Sequence, residues 1–461
     1  MHTDSSLNKQ EPSKKEILLK ILFLASTFLL MMMCLVVWRP LKIAIFAKIV
    51  GAQFIPNAKL FSLLFVIPLI IFYSKLVDWL RRHQLLYWFT LFHGIGGLIF
   101  YFFISHPVYG IANTQASSDR LVGWAFYIFM ESFDAFFSTT FWAFADSICN
   151  PKDAKNYYGY IAAGSKIGGI IAAGGLYFII GSSSNTEQIA IIPNVLLFGS
   201  CSLFAAALAI YFLMRNVSGK YMHGYEVVYQ LEKTKSIESV GFWASVKGLF
   251  DGLWVIIKNP YVAGIFSMVV FYEIVIVIFD FWVVLYADKM NATVGGMTGY
   301  YAFYYFVMNL VGLAVCLLGT TPMLRFLGLR FSLLAFPLIC FMFLAFTLLF
   351  PTAQVFFWVL VGLRAFNYAL NHPTREVLYI PTTKEIKFKA KAWTEAFGTR
   401  IAKSFGSGFN VLLKSTSRAT AFLSSLVLSL GLASVWLVIA YLLGRRLQDA
   451  IDNKKIIGKE D

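Results

Sequence analysis

Charge is scarce in this sequence, and the short motifs of common enzymes are missing. Only 14% of its 461 residues are charged, 59% are hydrophobic, and mean hydropathy is +0.70. These values exclude an ordinary soluble domain. The sequence has no HExxH, Walker phosphate loop, GxSxG elbow or cluster of Cys and His. We therefore predict that the protein is not an enzyme and holds no metal or cofactor.

Long apolar runs are the main feature of the sequence. Runs that can cross about 30 Å of hydrocarbon as helices recur from end to end, whereas the alternating strands of an outer-membrane barrel do not. We predict spans near residues 17–45, 56–78, 85–105, 121–147, 158–181, 190–214, 261–287, 297–319, 331–350, 354–371, 391–414 and 419–443. The predicted fold class is an all-α membrane protein with twelve transmembrane helices in two six-helix halves, as in the major facilitator architecture.

Lysine and arginine are unevenly distributed between alternate loops. The net charge of +15 lies mainly in short loops on one side of the predicted spans. This distribution indicates membrane topology rather than a nucleic-acid partner. We expect both termini in the cytoplasm and, because no cleavable targeting peptide is evident, the inner membrane of a bacterium. The predicted divisions are a cytoplasmic tail (1–16), an N-terminal half (17–214), a cytoplasmic amphipathic linker (215–260), a C-terminal half (261–443) and a second cytoplasmic tail (444–461).

Several charged residues fall inside the predicted spans. A charge at the centre of a membrane helix costs about 2.5 to 3.5 kcal/mol on insertion scales, so each needs a partner or a function. The cations are Arg39, Lys42, Lys166, Arg364, Arg400 and Lys403, and the acids include Glu131, Asp134, Glu273 and Asp280. Salt bridges between helices would explain any one of them. As a set, the cations of helices 1, 5 and 11 would converge on a central cavity and suit a polyphosphate.

Two short segments repeat at the fifth helix of each half. GSKI at 164–167 matches GTRI at 398–401, which places Lys166 and Arg400 at related points. The glycines of GSKIGGIIAAGG, residues 164–175, predict close helix packing rather than a phosphate-binding loop. Interleaved aromatic residues, among them Trp38 and Tyr304, could stack on a nucleobase, although a single such residue more often serves the core or an interface.

Six stretches of the sequence resemble one transporter family. The residues from Arg375 to Pro381, from Lys387 to Ala392 and from Gly398 to Ser404 are similar to the KExxYIP, KxKGKA and GxxxxKS segments of the bacterial and plastid ATP/ADP translocases. VVWRPLKIAIF, MESFDAFFSTTFWAFAD and PKDAKNYYGYIAAG resemble its RxxKD, ELWxxxxxxxFWxFAN and EAKRFYxxxGxG segments. The resemblance implies twelve helices and exchange of nucleotides, ATP for ADP, across a membrane.

The resemblance also implies roles for single residues. Lys42 matches the functional lysine of helix 1, Glu131 the glutamate of helix 4, and one of Lys387, Lys389 and Lys391 the lysine before helix 11; Asp280 matches the helix 7 glutamate only loosely. Ile43 stands where the family has Asp, so substrate choice is the property most open to change.

The predicted function is secondary transport of nucleotides by alternating access. The predicted substrate-binding residues are Arg39, Lys42, Glu131, Lys166, Asp280, Arg400 and Lys403. Lys387, Lys389 and Lys391 would attract substrate, and Asp134, Glu273 and Arg364 are candidates for coupling or charge pairing. One alternative is a proton-coupled facilitator of another anionic or zwitterionic solute, and another is a membrane interaction or sensor protein without transport. The expected partners are a nucleotide and the lipid bilayer, and the expected state is a monomer.

Overall fold

The computed structural model describes residues 14–149, 151–217, 252–315, 328–379, 381–383, 386, 390–453 and 455–458. The long helices are α1 (Lys14–Phe46), α2 (Ile55–Trp79), α3 (Arg82–Ser105), α4 (Leu121–Ile148), α5 (Pro151–Gly181), α6 (Asn185–Asn216), α7 (Pro260–Met290), α8 (Val294–Val315), α9 (Gly328–Leu349), α10 (Ala353–Phe366), α11 (Thr399–Leu412) and α12 (Arg418–Asp452). Within the described ranges the only β pairing is an isolated bridge between Thr382 and Ile457. The predicted all-α class is confirmed.

Local sequence sets where several of these helices begin. Ser184 caps α6 and forms a reciprocal capping box with Glu187. Asn259 caps α7, whose first residue is Pro260, and Ser417 caps α12. These side chains accept hydrogen bonds from backbone N–H groups that a helix leaves unpaired at its start. The polar breaks between apolar runs therefore act as defined helix starts.

Seven helical stretches in the described part of the chain are long and apolar enough to cross a membrane by length and composition. They include Pro260–Met290 and Arg418–Asp452, which match predicted spans. The prediction of twelve crossings goes beyond these seven and stays a prediction. Most of the predicted amphipathic linker, residues 218–251, lies outside the described residues.

Three π-helical turns whose residues are all described interrupt the regular helices. Ala47–Gly51 follows α1, Asn367–Asn371 extends α10 into a short helix at His372–Leu378, and Thr394–Gly398 joins Lys391–Trp393 to α11. Gly51 ends the first of these turns with φ of 126°, a left-handed conformation that glycine adopts without a steric penalty. Such turns are frequent at functional sites, and all three adjoin helices that carry predicted site residues.

The helices pack in two groups that contact each other through several helix pairs. α1 packs against α4, α5 and α6, and α7 packs against α10, α11 and α12. Contacts of α5 and α1 with α8, and of α2 with α11, join the two groups. We call the end of the bundle where α1 begins and α12 ends the terminal face. Lys20 reaches the carbonyl of Ile148 there, so α4 ends at this face.

The glycines of α5 allow close approach to α1. A Cβ atom built on Gly164 would lie 2.8 Å from the carbonyl oxygen of Ala25, and one on Gly168 would lie 2.6 Å from that of Leu29. Backbone atoms cannot move aside as a side chain can. The prediction that these glycines serve helix packing is confirmed.

Gly168→Ala should therefore destabilise the protein. Overpacking a close contact costs about 1 to 3 kcal/mol, which outweighs the helix propensity of about 1 kcal/mol that alanine adds. The matched control is Gly175→Ala in the same helix, where an added Cβ meets nothing within 4 Å. The thermal midpoint of the detergent-solubilised protein should fall in the first variant only. Equal midpoints for the two variants would contradict the packing assignment.

Candidate functional site

The N-terminal group of helices carries a charge cluster between α1 and α4. Arg39 donates from Nε to Oδ1 of Asp134 at 2.9 Å, and Lys42 Nζ lies 2.8 Å from both Glu131 Oε1 and Asp134 Oδ2. Each pair is spaced three residues apart, so both cations share one face of α1 and both acids share one face of α4. The cluster holds two cations and two carboxylates and is electrically neutral. Lys42 is its most buried member, with 8% of its side chain exposed.

A second cluster joins the two groups of helices. Asp280 of α7 accepts from Lys59 Nζ of α2 at 2.7 Å and from Nη2 of Arg364 of α10 at 3.2 Å. This cluster contains two cations and one carboxylate, so it carries one excess positive charge. Lys59 crosses from the N-terminal group to reach the C-terminal group. The Lys59–Asp280 ion pair therefore links the two groups of helices directly.

The two clusters lie close enough to act on one another. Tyr305 of α8 interacts electrostatically with Arg39 and Lys42 of the first cluster and with Arg364 and Asp280 of the second. Asp280 also interacts with Lys42. Buried charges interact strongly because solvent screens them little. We call the seven charged residues Arg39, Lys42, Lys59, Glu131, Asp134, Asp280 and Arg364 the central network.

The other predicted site residues on α5 and α11 lie around this network. Lys166 places its Nζ 5.9 Å from the ring centroid of Tyr368, a cation–π contact. Arg400 interacts electrostatically with Glu131. Lys403 is 3.7 Å from Glu273 and has 53% of its side chain exposed, so this ion pair contributes little to stability.

Of the predicted entry lysines, the structure describes one. Lys391 forms an ion pair with Glu376 and lies over the ring of Tyr379. Lys387 and Lys389 lie outside the described residues. Lys391 precedes α11 on the terminal face, so the structure places it at the end of the bundle rather than within the network.

Sequence reasoning missed Lys59, and of the two roles open to Trp38 the structure shows the core one. Lys59 lies near the start of a predicted span, where a lysine is ordinarily read as an interfacial residue. Trp38 is 1% exposed and packs between Gly97 of α3 and Gly199 of α6, and its indole N–H donates to the carbonyl of Leu196. It is a core residue and has no free face for a nucleobase.

Three polar contacts join the two groups at the face opposite the terminal face. Lys48, just after α1, pairs with Asp288 near the end of α7 at 2.7 Å. Thr293, before α8, donates to Gln188 of α6 at 3.2 Å, and Lys414, after α11, donates to Asn57 of α2. These contacts tie the two groups of helices together at that face.

Comparison with solved structures identifies the fold. A bacterial homologue of the iron transporter ferroportin in its inward-facing state superposes with a TM-score of 0.65 at 13% identity, covering 94% of this chain and 100% of that one. The D-xylose-proton symporter gives 0.59 at 14% identity over 94% and 97% of the chains. The nucleoside transporter NupG gives 0.55 at 14% identity over 92% and 99%. The predicted major facilitator fold is confirmed.

Comparison of sequences identifies the family. The chloroplastic ADP,ATP carrier protein 2 of Arabidopsis thaliana is 23% identical over 445 residues, covering 86% of this chain and 69% of the carrier. The model of the TLC ATP/ADP transporter family matches residues 9–447. The resemblance seen in the sequence is confirmed, and the prediction of a transporter rather than an enzyme is confirmed with it. This chain belongs to the TLC ATP/ADP transporter family.

Proposed function

We propose that this transporter exchanges ATP for ADP, or related nucleotides, across the membrane by alternating access. The phosphate chain of the nucleotide binds at the central network. The observation that carries the proposal is the Lys59–Asp280 pair, which links the two groups of helices within a buried cluster of excess positive charge. A polyphosphate supplies the oxygens that Lys and Arg bind best. Binding at this place therefore acts on the contact that holds the groups together.

Each cation of the network forms an ion pair with a carboxylate. Phosphate oxygens compete with Glu131 and Asp134 for Lys42 and Arg39, and with Asp280 for Arg364 and Lys59. A ligand shifts a conformational equilibrium only through its differential affinity for the two states. Nucleotide that replaces Asp280 as the partner of Lys59 would release the link between the groups and favour opening of the opposite face.

Residues around the network would guide and orient the substrate. Lys166 and Arg400 approach the network from the fifth helix of each half, and Lys403 lies on the same helix as Arg400. Lys387, Lys389 and Lys391 would attract the nucleotide at the terminal face through long-range electrostatics. Glu273 would hold Lys403 until substrate arrives.

The proposed setting is the inner membrane of a bacterium, with the terminal face in the cytoplasm. The bias of lysine and arginine toward one set of loops supports this orientation. The proposed unit is a monomer with two halves, 17–214 and 261–443, joined by the linker at 215–260. The contacts at the opposite face then correspond to a carrier open toward the cytoplasm.

Exchange can be separated from proton symport in liposomes that contain the purified full-length protein. Labelled ADP should accumulate when ATP or ADP is present inside, and a proton uncoupler should leave this uptake unchanged. Empty liposomes with protein and nucleotide-loaded liposomes without protein are the controls. Uptake that needs no internal nucleotide and is abolished by the uncoupler would favour the proton-coupled alternative.

A further inference from the structure

Several buried polar atoms around Asp280 and Arg364 have no hydrogen-bond partner among the residues that the structure describes. They are the hydroxyl groups of Tyr301 and Tyr304 of α8 and Nε of Arg364. Both tyrosines are only 1% exposed. Tyr304 interacts electrostatically with Arg364 and Asp280, and Tyr301 interacts with Asp280. The unpaired atoms therefore belong to the second cluster of the central network.

What these atoms lack is an acceptor. The Nε–H of arginine can only donate, and a tyrosine hydroxyl donates as well as accepts. Each carboxylate oxygen of Asp280 accepts from one cation, Oδ2 from Lys59 and Oδ1 from Nη2 of Arg364, and the three unpaired atoms form no hydrogen bond to either oxygen. A buried donor without an acceptor bears its full desolvation penalty. These donors could pair with an incoming group rich in acceptor oxygens.

The net charge of the two clusters indicates which kind of ligand group would bind to the unpaired donors. The first cluster is neutral, with two cations and two carboxylates, while the second carries one excess positive charge. An anion is therefore favoured at the second cluster, beside the unpaired donors. A phosphoryl group combines negative charge with several acceptor oxygens, as these donors require.

The spacing along α8 places three tyrosines on one side of the helix. Tyr301, Tyr304 and Tyr305 lie at positions i, i+3 and i+4 and so share one helix face. The rings of Tyr301 and Tyr304 are 6.2 Å apart, and those of Tyr304 and Tyr305 are 5.1 Å apart. Tyr305 interacts with both Arg39 and Arg364, so the tyrosine row runs from one cluster to the other.

We propose that Tyr301, Tyr304 and Arg364 form a phosphoryl subsite that requires at least a second phosphate on the nucleotide. The inference rests on the proposed function and adds residues to its site. One phosphoryl group is bound by Lys42 and Arg39 in the N-terminal group of helices. A second phosphoryl group of the same nucleotide accepts hydrogen bonds from the two tyrosine hydroxyls and from Nε of Arg364. Nucleoside diphosphates and triphosphates fill both positions, and a monophosphate fills one.

Binding to the purified full-length protein tests this subsite. Tyr301→Phe, Tyr304→Phe and the double variant remove the hydroxyls and keep the rings. Tyr300→Phe is the matched control, because Tyr300 lies on the same helix and packs against Phe357. We expect the double variant to weaken the binding of ADP and ATP about tenfold or more, as expected for hydrogen bonds to a charged group. AMP should bind within about twofold of its affinity for the unmodified protein.

The thermal midpoint of the ligand-free protein gives an independent readout. Removal of buried unpaired hydroxyls should leave this midpoint unchanged or raise it, so weaker ADP binding would not reflect unfolding. The subsite is overturned if the double variant binds ADP as tightly as Tyr300→Phe does, or if AMP and ADP lose affinity equally. If the unmodified protein neither binds nor transports any nucleotide, the proposed function fails as a whole, a result distinct from loss of the subsite alone.

Discussion

Lys42→Ala should abolish nucleotide uptake. Lys42 is the partner of both Glu131 and Asp134 in a cluster that is otherwise held only by Arg39. Removing it leaves two carboxylates facing one cation, and the resulting negative charge repels the phosphate chain. The loss of charged contacts worth about 1.5 to 3 kcal/mol each predicts a fall in uptake of about 100-fold or more. Uptake of labelled ADP into bacterial cells that express the protein measures this effect.

Two variants control this experiment. Lys42→Arg keeps the charge and should retain part of the activity, because arginine differs from lysine in shape and donor geometry. Lys258→Ala removes an exposed lysine that lies over the ring of Trp254 and is not a member of the central network, and should leave uptake unchanged. The amount of inserted protein is compared by size-exclusion chromatography of a fluorescent fusion. Uptake by Lys42→Ala above half of the unmodified level, at equal protein, would exclude Lys42 from the site.

Asp280→Ala should destabilise the carrier as well as stop transport. The substitution removes the shared partner of Lys59 and Arg364 and leaves two buried cations side by side. Breaking a buried ion pair by removing one partner costs about 3 to 5 kcal/mol, because the remaining charge is uncompensated. The thermal midpoint of the detergent-solubilised protein should fall, and exchange in liposomes should be lost.

A double variant separates the charge effect from other causes. Lys59→Ala added to Asp280→Ala removes one of the two stranded cations, so it should recover part of the lost thermal midpoint while transport stays absent. Asp280→Glu keeps the charge and should retain the stability. The account is wrong if the effects of Lys59→Ala and Asp280→Ala on the midpoint simply add, since residues in contact show a coupling energy and independent sites do not.

Much of the fold could be predicted from hydropathy and charge alone. Apolar runs predicted most helix positions to within a few residues. The reason is that charged residues are costly in a bilayer and are therefore rare within spanning segments. The same cost singled out Arg39, Lys42, Glu131, Asp134, Asp280 and Arg364 as residues that need partners. Their spacing within each helix showed which of them share a face.

The pairing between helices could not be predicted in this way. Asp280 pairs with Lys59, which is 221 residues away in the sequence. Lys59 also lies near the start of a helix, where a lysine needs no buried partner, so nothing in the sequence indicated this ion pair. Trp38 was named as a base-stacking candidate, but its environment is created by glycines on two other helices. The unpaired hydroxyls of Tyr301 and Tyr304 likewise emerge only when α7, α8 and α10 are packed together.

The most direct test of the central claim is an experimental structure of the full-length protein with ADP bound. The account predicts phosphate density within hydrogen-bonding distance of Lys42 or Arg39 on one side and of Arg364 on the other. Nucleotide bound elsewhere, with the ion pairs of Lys42 and Asp280 intact, would contradict it.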